Sequence, residues 1–398
     1  MNLLSNDAET PAQGLNDRNH GIDALRGLSI LLVVMHHVGI RIPLAKTWLG
    51  DVFPKWLLDG INWNGAEGVV AFFVISGFLI TRRSQLRWGT LSDLSLRGFY
   101  RFRATRILPV LLLVVALLSL CHLLGVPKYV IDKPNQSLAG AIWAALGLHV
   151  NWYEGQTGYL PGGWNVMWSL SVEEAFYLAF PLLCLSLGRT RLFVPALTVF
   201  ALSLPLMRAA LEGLHNEIWF EEAYLPGMAA IATGVLAACL ARRCPSVSRP
   251  VAAAVGVAGL VGFCAILFAG RSVWALLHHG YSLWLTVSAA CIVLGAHWLE
   301  SSPLGLRLRG FGWLRSFGRL SYEIYLFHMF CVFGVLAIAN ASGLDPRWGF
   351  VWYVPAVFLS WLLGFAVARC YSQPLERRLR REAQRPLVAK IEPAVETP

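Results

Sequence analysis

Charge is scarce in this chain. Only 14% of its 398 residues are Asp, Glu, Lys or Arg, against about 25% in a typical soluble domain. That deficit excludes an ordinary water-soluble globule, because a single soluble core stops growing well before it buries this much apolar mass. Clustered cysteines are also lacking. None of the eight (Cys121, Cys184, Cys239, Cys244, Cys264, Cys291, Cys331 and Cys370) stands in C-x-x-C spacing. A disulfide framework and a zinc site are therefore not expected, and the cysteines read as small buried hydrophobes. No basic segment precedes the first apolar run. Asp7, Glu9 and Asp17 lie there instead, so no cleavable signal peptide is expected. No tandem repeat is evident.

What the chain has in abundance is apolar length. Hydrophobic residues make up 56% and there are 16 Trp, with a mean hydropathy of +0.56. Tryptophan favours membrane interfaces, where its ring is sheltered and its N–H is wet. A net charge of +10 would suggest nucleic acid in a soluble protein. Here the basic residues fall in short segments between apolar runs, as membrane orientation requires, and no nucleic-acid partner is expected.

About twenty apolar residues cross a bilayer. Such runs lie at roughly 25–42, 66–82, 105–126, 166–187, 192–208, 223–241, 251–269, 281–299, 320–340 and 350–369. The fold class is therefore all-α, a polytopic transmembrane bundle of about ten helices. The run 138–150 is the doubtful one. The segment 82–106 carries Arg82, Arg83, Arg87, Arg97, Arg101, Arg103 and Arg106 against Asp93, which places it on the cytoplasmic side. If 138–150 does not span, the clusters Arg242/Arg243/Arg249, Arg307/Arg309/Arg315/Arg319 and the tail from Arg377 also fall inside. The acidic loop Glu212/Glu217/Glu221/Glu222 then falls outside. The expectation is a re-entrant or outer-interface segment at 138–150, with the Gly- and aromatic-rich stretch 151–165 near a cavity mouth. A cytoplasmic tail (1–20), a transmembrane domain (21–373) and a second cytoplasmic tail (374–398) complete the organisation.

Ionisable groups at membrane depth are costly and are functional candidates. Asp23, Arg26 and His37 share one face of the first helix, Arg26 and His37 differing by only about 20° in angle and about 16 Å in height. A neutral imidazole there can take a proton from a hydroxyl; a core histidine bonded across helices is the plainer alternative. Glu173 and Glu174 sit about 10 Å in from the outer face and either steady that imidazole or line a wet cavity. Tyr322, Tyr325 and His328 follow i, i+3, i+6 spacing on one face, as a polar site or as aromatic packing. Arg101, Arg103 and Arg106 at the start of the third helix suit a phosphate-bearing ligand, although positive-inside anchoring alone explains such arginines.

The chain also resembles acyltransferase family 3. Ile22-Asp23-Ala24-Leu25-Arg26-Gly27 with His37 resembles the family's LDGLRG and its Arg, ten residues, His signature. Phe72 to Ile80 resembles FFVLSGFLI, and Phe99 to Pro109 resembles the Arg-x-x-Arg-Ile-x-Pro stretch. Trp168 to Tyr177 resembles WSLSVEEQFY, and Ser321 to His328 resembles SYSIYLLH. The motifs occur in order across nearly the whole chain. The resemblance implies ten transmembrane helices and transfer of an acyl group, usually acetyl from acetyl-CoA, to a sugar hydroxyl. It implies His37 as the essential histidine and Arg26, Arg103 and Arg106 as important. Family acceptors include surface polysaccharides, lipid-linked glycans, nodulation factors and macrolide sugars. Two departures stand out: Ser372-Gln373-Pro374 where the family often has Glu-x-Pro, and Ala175 where Gln is usual.

Together these readings give an expected membrane O-acyltransferase. Its candidate catalytic residues are His37, Glu173, Glu174, Asp23 and His328. Arg26, Arg101, Arg103 and Arg106 are the candidate donor-binding residues, and Trp168, Tyr322 and Tyr325 the acceptor contacts. Acyl-CoA serves as co-substrate, with no permanently bound cofactor and no metal. The expected partners are a saccharide acceptor and the lipid bilayer, and the expected location is the cell membrane with both termini cytoplasmic. A proton-coupled secondary transporter built on the same His and Glu, or a non-catalytic subunit of a glycan export system, is the alternative.

Overall fold

In hydrocarbon every backbone N–H and C=O must be satisfied within the chain, so long apolar runs fold as helices. The computed structural model describes residues 19–300 and 311–388, with backbone only beyond Arg381. The N-terminal tail up to residue 18, the arginines at 307 and 309, and the end of the C-terminal tail lie outside the described residues. Among the described residues ten helices are long and apolar enough to cross a membrane. They are α1 (His20–Gly39), α2 (Gly65–Trp88), α3 (Leu96–Leu123), α4 (Trp168–Leu187), α5 (Phe193–Glu212), α6 (Tyr224–Arg243), α7 (Arg249–Leu277), α8 (Gly280–Glu300), α9 (Ser321–Ala341) and α10 (Pro346–Arg381).

The expected number of spans is the observed one, while several boundaries differ for local reasons. α1 begins earlier than its apolar run because the Asn19 side chain caps the Ile22 amide. Asp23 and Arg26 then share its first turns as an i, i+3 pair. α3 takes in its arginines from Leu96 onward, with Ser95 capping Gly98. α5 is interrupted at Ser203, one residue before the Leu204–Glu212 helix, which carries proline in its first turn. The doubtful run forms a nine-residue helix, Leu138–Leu146. At about 1.5 Å per residue that is too short to span.

Helices α1, α2, α3, α4 and α9 surround the site described below, and α6 braces α2 from behind. Two glycines set the close α2–α6 approach. A Cβ at Gly77 would lie 1.9 Å from the Ile231 carbonyl oxygen, and one at Gly234 would lie 1.9 Å from that of Val74. Such small-residue contacts let helices in lipid gain dispersion where no hydrophobic force drives them together. Gly27 and Gly318 seat α1 on the short helix Gly312–Arg319 in the same way, a Cβ at Gly27 falling 2.0 Å from the Leu314 carbonyl oxygen. We predict that Gly77→Leu lowers the thermal stability of the detergent-solubilised protein by at least about 1–3 kcal/mol. Gly334→Leu, where a Cβ meets nothing within 4 Å, leaves the melting temperature nearly unchanged. Equal melting of the two variants would refute this packing account.

Candidate functional site

A cavity of about 970 Å³, open volume included, runs between α1, α2, α3, α4 and α9. Its charged lining is Arg26 of α1, Arg83 of α2, Arg103 and Arg106 of α3, and Glu173 of α4. Arg103 and Arg106 reach it together because their i, i+3 spacing puts them on one face of α3. Arg103 is held firmly. Its Nη2 lies 3.0 Å from Glu174 Oε1, and its guanidinium carbon stacks 3.7 Å from the Tyr177 ring centre. The Tyr177 hydroxyl in turn meets the Ser76 hydroxyl. Arg26 donates to Ser321 Oγ at 2.8 Å and stands 4.0 Å from Asp23 Oδ1. Among the described residues no acid lies within ion-pair distance of Arg106.

The cavity is therefore net positive inside an apolar bundle. Glu174 is committed to Arg103, and Glu173 is the carboxylate that faces the space. Weak screening there strengthens attraction for a ligand with several negative charges, and guanidinium forks match phosphate oxygens two at a time. The buried Nε of Arg103 has no protein partner, which leaves a donor for such a ligand.

Beyond the cavity stand two imidazoles. The rings of His37 and His328 lie 5.1 Å apart between centres, 39° from parallel. His328 is fully buried and His37 is half-buried. His328 Nδ1 faces the carbonyl oxygens of Tyr325 at 2.7 Å and Ile324 at 3.2 Å. Carbonyls only accept, so Nδ1 carries the hydrogen and Nε2 keeps its lone pair. That Nε2 is buried without a partner. Neither imidazole lines the cavity. The partition between them is Tyr325, whose hydroxyl accepts from Ser169 Oγ at 2.8 Å and whose ring centre is 6.0 Å from that of His328. On the far side, Arg41 Nη1 donates to the His37 carbonyl at 2.8 Å, with its guanidinium 4.9 Å from the Phe333 ring centre.

The arrangement decides one alternative that the sequence leaves open. The sequence offers Glu173 and Glu174 either as support for His37 or as the lining of a wet cavity. The structure sets His328 beside His37, pairs Glu174 with Arg103 and leaves Glu173 lining the cavity. The reason is angular: Glu174 points across the bundle at α3, where Arg103 compensates its burial, and Glu173, one residue earlier, turns into the cavity. Arg101 is exposed and outside the cavity lining. Trp168 packs edge-on against Phe73 at 6.1 Å instead of lining the space. Tyr322 lines it and donates to the Ile107 carbonyl at 3.1 Å. Arg83, Ser76, Tyr177, Ser169 and Ser321 belong to the lining as well. All but Arg83 sit inside motifs already quoted, whereas Arg83 reads in sequence as simple anchoring.

The stretch 151–165 packs against α9. Its helix Val150–Thr157 is followed by the Gly162–Asn165 turn, and the space at Gly162 is bounded by Met329 and Phe333 of α9. Buried Glu154 ties the stretch together, accepting from the Leu160 amide at 2.7 Å and from Asn165 Nδ2 at 3.0 Å. Burial pushes its carboxyl well above the usual range.

The departure at Ser372 also finds a partner. Ser372 Oγ donates to Glu323 Oε1 at 2.6 Å, both side chains being buried. Glu323 occupies the place of the second Ser in the SYSIYLLH pattern, and Ser372 the place of Glu in Glu-x-Pro. A serine–carboxylate bond between α9 and α10 is present here with serine and acid on exchanged helices.

Comparison with known proteins follows these observations. The sequence profile of the acyltransferase family 3 domain matches residues 19–369. A protein of Staphylococcus aureus (strain COL), provisionally named an O-acetyltransferase, is 26% identical over 211 residues, covering 50% of this chain and 31% of that protein. O-acetyltransferase OatA of Staphylococcus aureus (strain NCTC 8325 / PS 47) is 22% identical over 378 residues, covering 90% of this chain and 57% of that protein. The match thus extends over 31% and 57% of the length of these relatives. No solved structure matches.

Proposed function

The chain belongs to acyltransferase family 3, and from that premise we propose that it is a membrane O-acyltransferase moving an acyl group, most simply acetyl, from acyl-CoA to a saccharide hydroxyl. The observation that carries this reading is the alignment of a multi-arginine cavity with a pair of neutral-capable imidazoles just beyond its Tyr325–Ser169 end. Both termini face the cytoplasm of the cell membrane, and the acceptor approaches from the opposite side, past the 151–165 stretch.

In this reading Arg26, Arg103 and Arg106 bind the donor's diphosphate, and the thioester reaches the Tyr325–Ser169 boundary. His37, the more accessible imidazole, takes the proton of the acceptor hydroxyl as its oxygen attacks the thioester carbonyl. The C–O bond forms, the C–S bond breaks, and the imidazolium returns the proton to the departing thiolate. His328, with Nδ1 tied to backbone and Nε2 available, shares the charge that His37 acquires. Glu174 and Tyr177 hold Arg103 in place, and Asp23 and Ser321 hold Arg26.

The test is label transfer. The full chain in nanodiscs, given acetyl-CoA labelled in its acetyl group and a fraction of envelope glycan, is expected to release free CoA thiol and carry label into glycan in equal amounts. Arg103→Met is expected to raise the KM for acetyl-CoA about 10–100-fold, the size of a lost charge-assisted contact. Glycan movement into proteoliposomes without thioester consumption would favour transport instead and overturn the assignment.

A further inference from the structure

A second cluster of arginines adjoins the cavity and has no role in the reading above. Phe102 and Arg106 are i, i+4 neighbours on one face of α3, and Arg106 lines the cavity. Two further guanidiniums gather on the Phe102 ring. Arg380, from the helix Gln373–Val388, has its guanidinium carbon 4.3 Å from the ring centre. That of Arg87, from the last turn of α2, is 5.9 Å from the same centre. Arg380 is close enough to Arg87 and Arg106 for their charges to repel it. Glu376, one helical turn back, offsets part of this repulsion. Arg380 Nε is nevertheless buried without a partner.

Two like charges from separate elements do not converge on one ring, with the charge of Arg106 close by, without cost. In the low dielectric near the bundle each repulsion is stronger than in water. An anion that bridges them would turn the cost into binding energy. The group must be compact and doubly charged to answer several guanidiniums at once, which describes a phosphate monoester rather than a carboxylate or a diester. It must also reach the cluster while the rest of its molecule lies in the cavity, since Arg106 belongs to both.

We propose that Arg87 and Arg380, gathered on Phe102, form a subsite for the phosphate monoester at the nucleotide end of the donor, the 3′-phosphate of coenzyme A. This rests on the acyl-CoA reading above. It makes the C-terminal end of α10 part of the donor site and divides the arginines by task. Arg26, Arg103 and Arg106 serve the diphosphate within the bundle, and Arg87 and Arg380 serve the monoester at its edge.

Calorimetric binding of CoA and of 3′-dephospho-CoA to the full chain in phosphatidylcholine nanodiscs tests the division. Wild-type protein is expected to bind CoA on the order of 10-fold more tightly than dephospho-CoA. Arg87→Gln and Arg380→Gln are each expected to lose most of that preference while binding dephospho-CoA as wild type does. Arg380→Lys, which keeps the charge, retains part of it. A wild type that binds both ligands equally overturns the subsite and leaves the donor reading intact, as do variants that weaken both ligands equally. A protein that binds neither overturns the donor reading and the subsite together. The same titrations with phosphatidylglycerol added to the nanodiscs separate the other phosphate source. If the arginine substitutions act only there, lipid headgroups occupy the cluster and the proposal fails.

Discussion

His37→Ala lowers acetyl transfer by about 10²–10⁴-fold, the usual contribution of a positioned general base, while the affinity for CoA stays within a few-fold of wild type. The separation of the two effects follows from the geometry. His37 lies beyond the Tyr325–Ser169 boundary and contributes nothing to the cavity lining. Its nearest ionisable neighbour across the bundle is His328, at 5.1 Å between ring centres. Loss of the imidazole therefore removes the proton acceptor and leaves the arginines untouched. The pH profile sharpens the test. A base acts only when unprotonated, so wild-type kcat rises with pH through the imidazole titration, and the variant's residual rate lacks that limb. His328→Ala is expected to slow transfer less, because a fully buried ring supports the base without meeting the acceptor. Full acetylation by folded His37→Ala protein would end the general-base assignment. A His328→Ala defect larger than that of His37→Ala would transfer the role to the second ring.

Exchanging Glu323 and Ser372 produces the other large effect, on stability. The Ser372 hydroxyl donates to a buried carboxylate at 2.6 Å, and hydrogen bonds to charged groups contribute about 1.5–3 kcal/mol. Glu323→Ser removes the acceptor. It also removes a negative charge that acts on Arg26 across the bundle. Ser372→Glu forces two carboxyl groups together in a buried place. Each single variant is expected to lose about 1–3 kcal/mol, read as a lower melting temperature in detergent. The double variant Glu323→Ser/Ser372→Glu rebuilds the bond with its ends reversed. It is expected to recover most of the loss, giving a coupling energy of about 0.5–3 kcal/mol. If the two losses simply add, the bond is incidental, and the apparent exchange between α9 and α10 has no energetic content.

What could be read from the sequence was whatever depends on neighbours along the chain. Hydrocarbon leaves each backbone group to find its partner within its own segment. Apolar run length therefore marked the ten crossings, and the asymmetry of arginines identified 138–150 as the run that does not cross. Local periodicity also put Asp23, Arg26 and His37 on one face of α1, and Tyr322, Tyr325 and His328 on one face of α9. The partners of those side chains were not legible, because they come from helices distant in sequence whose rotations no local pattern encodes. Only the packed bundle decided that the rings of His37 and His328 come into contact, and that Glu174 answers Arg103 across 71 residues. It alone set Ser372 against Glu323 and brought Arg380 to the ring that Arg87 already touches. Helix formation is local in lipid; the rotation and contact of helices are set by packing, through small residues such as Gly77 and Gly234 and through the compensation of buried charge.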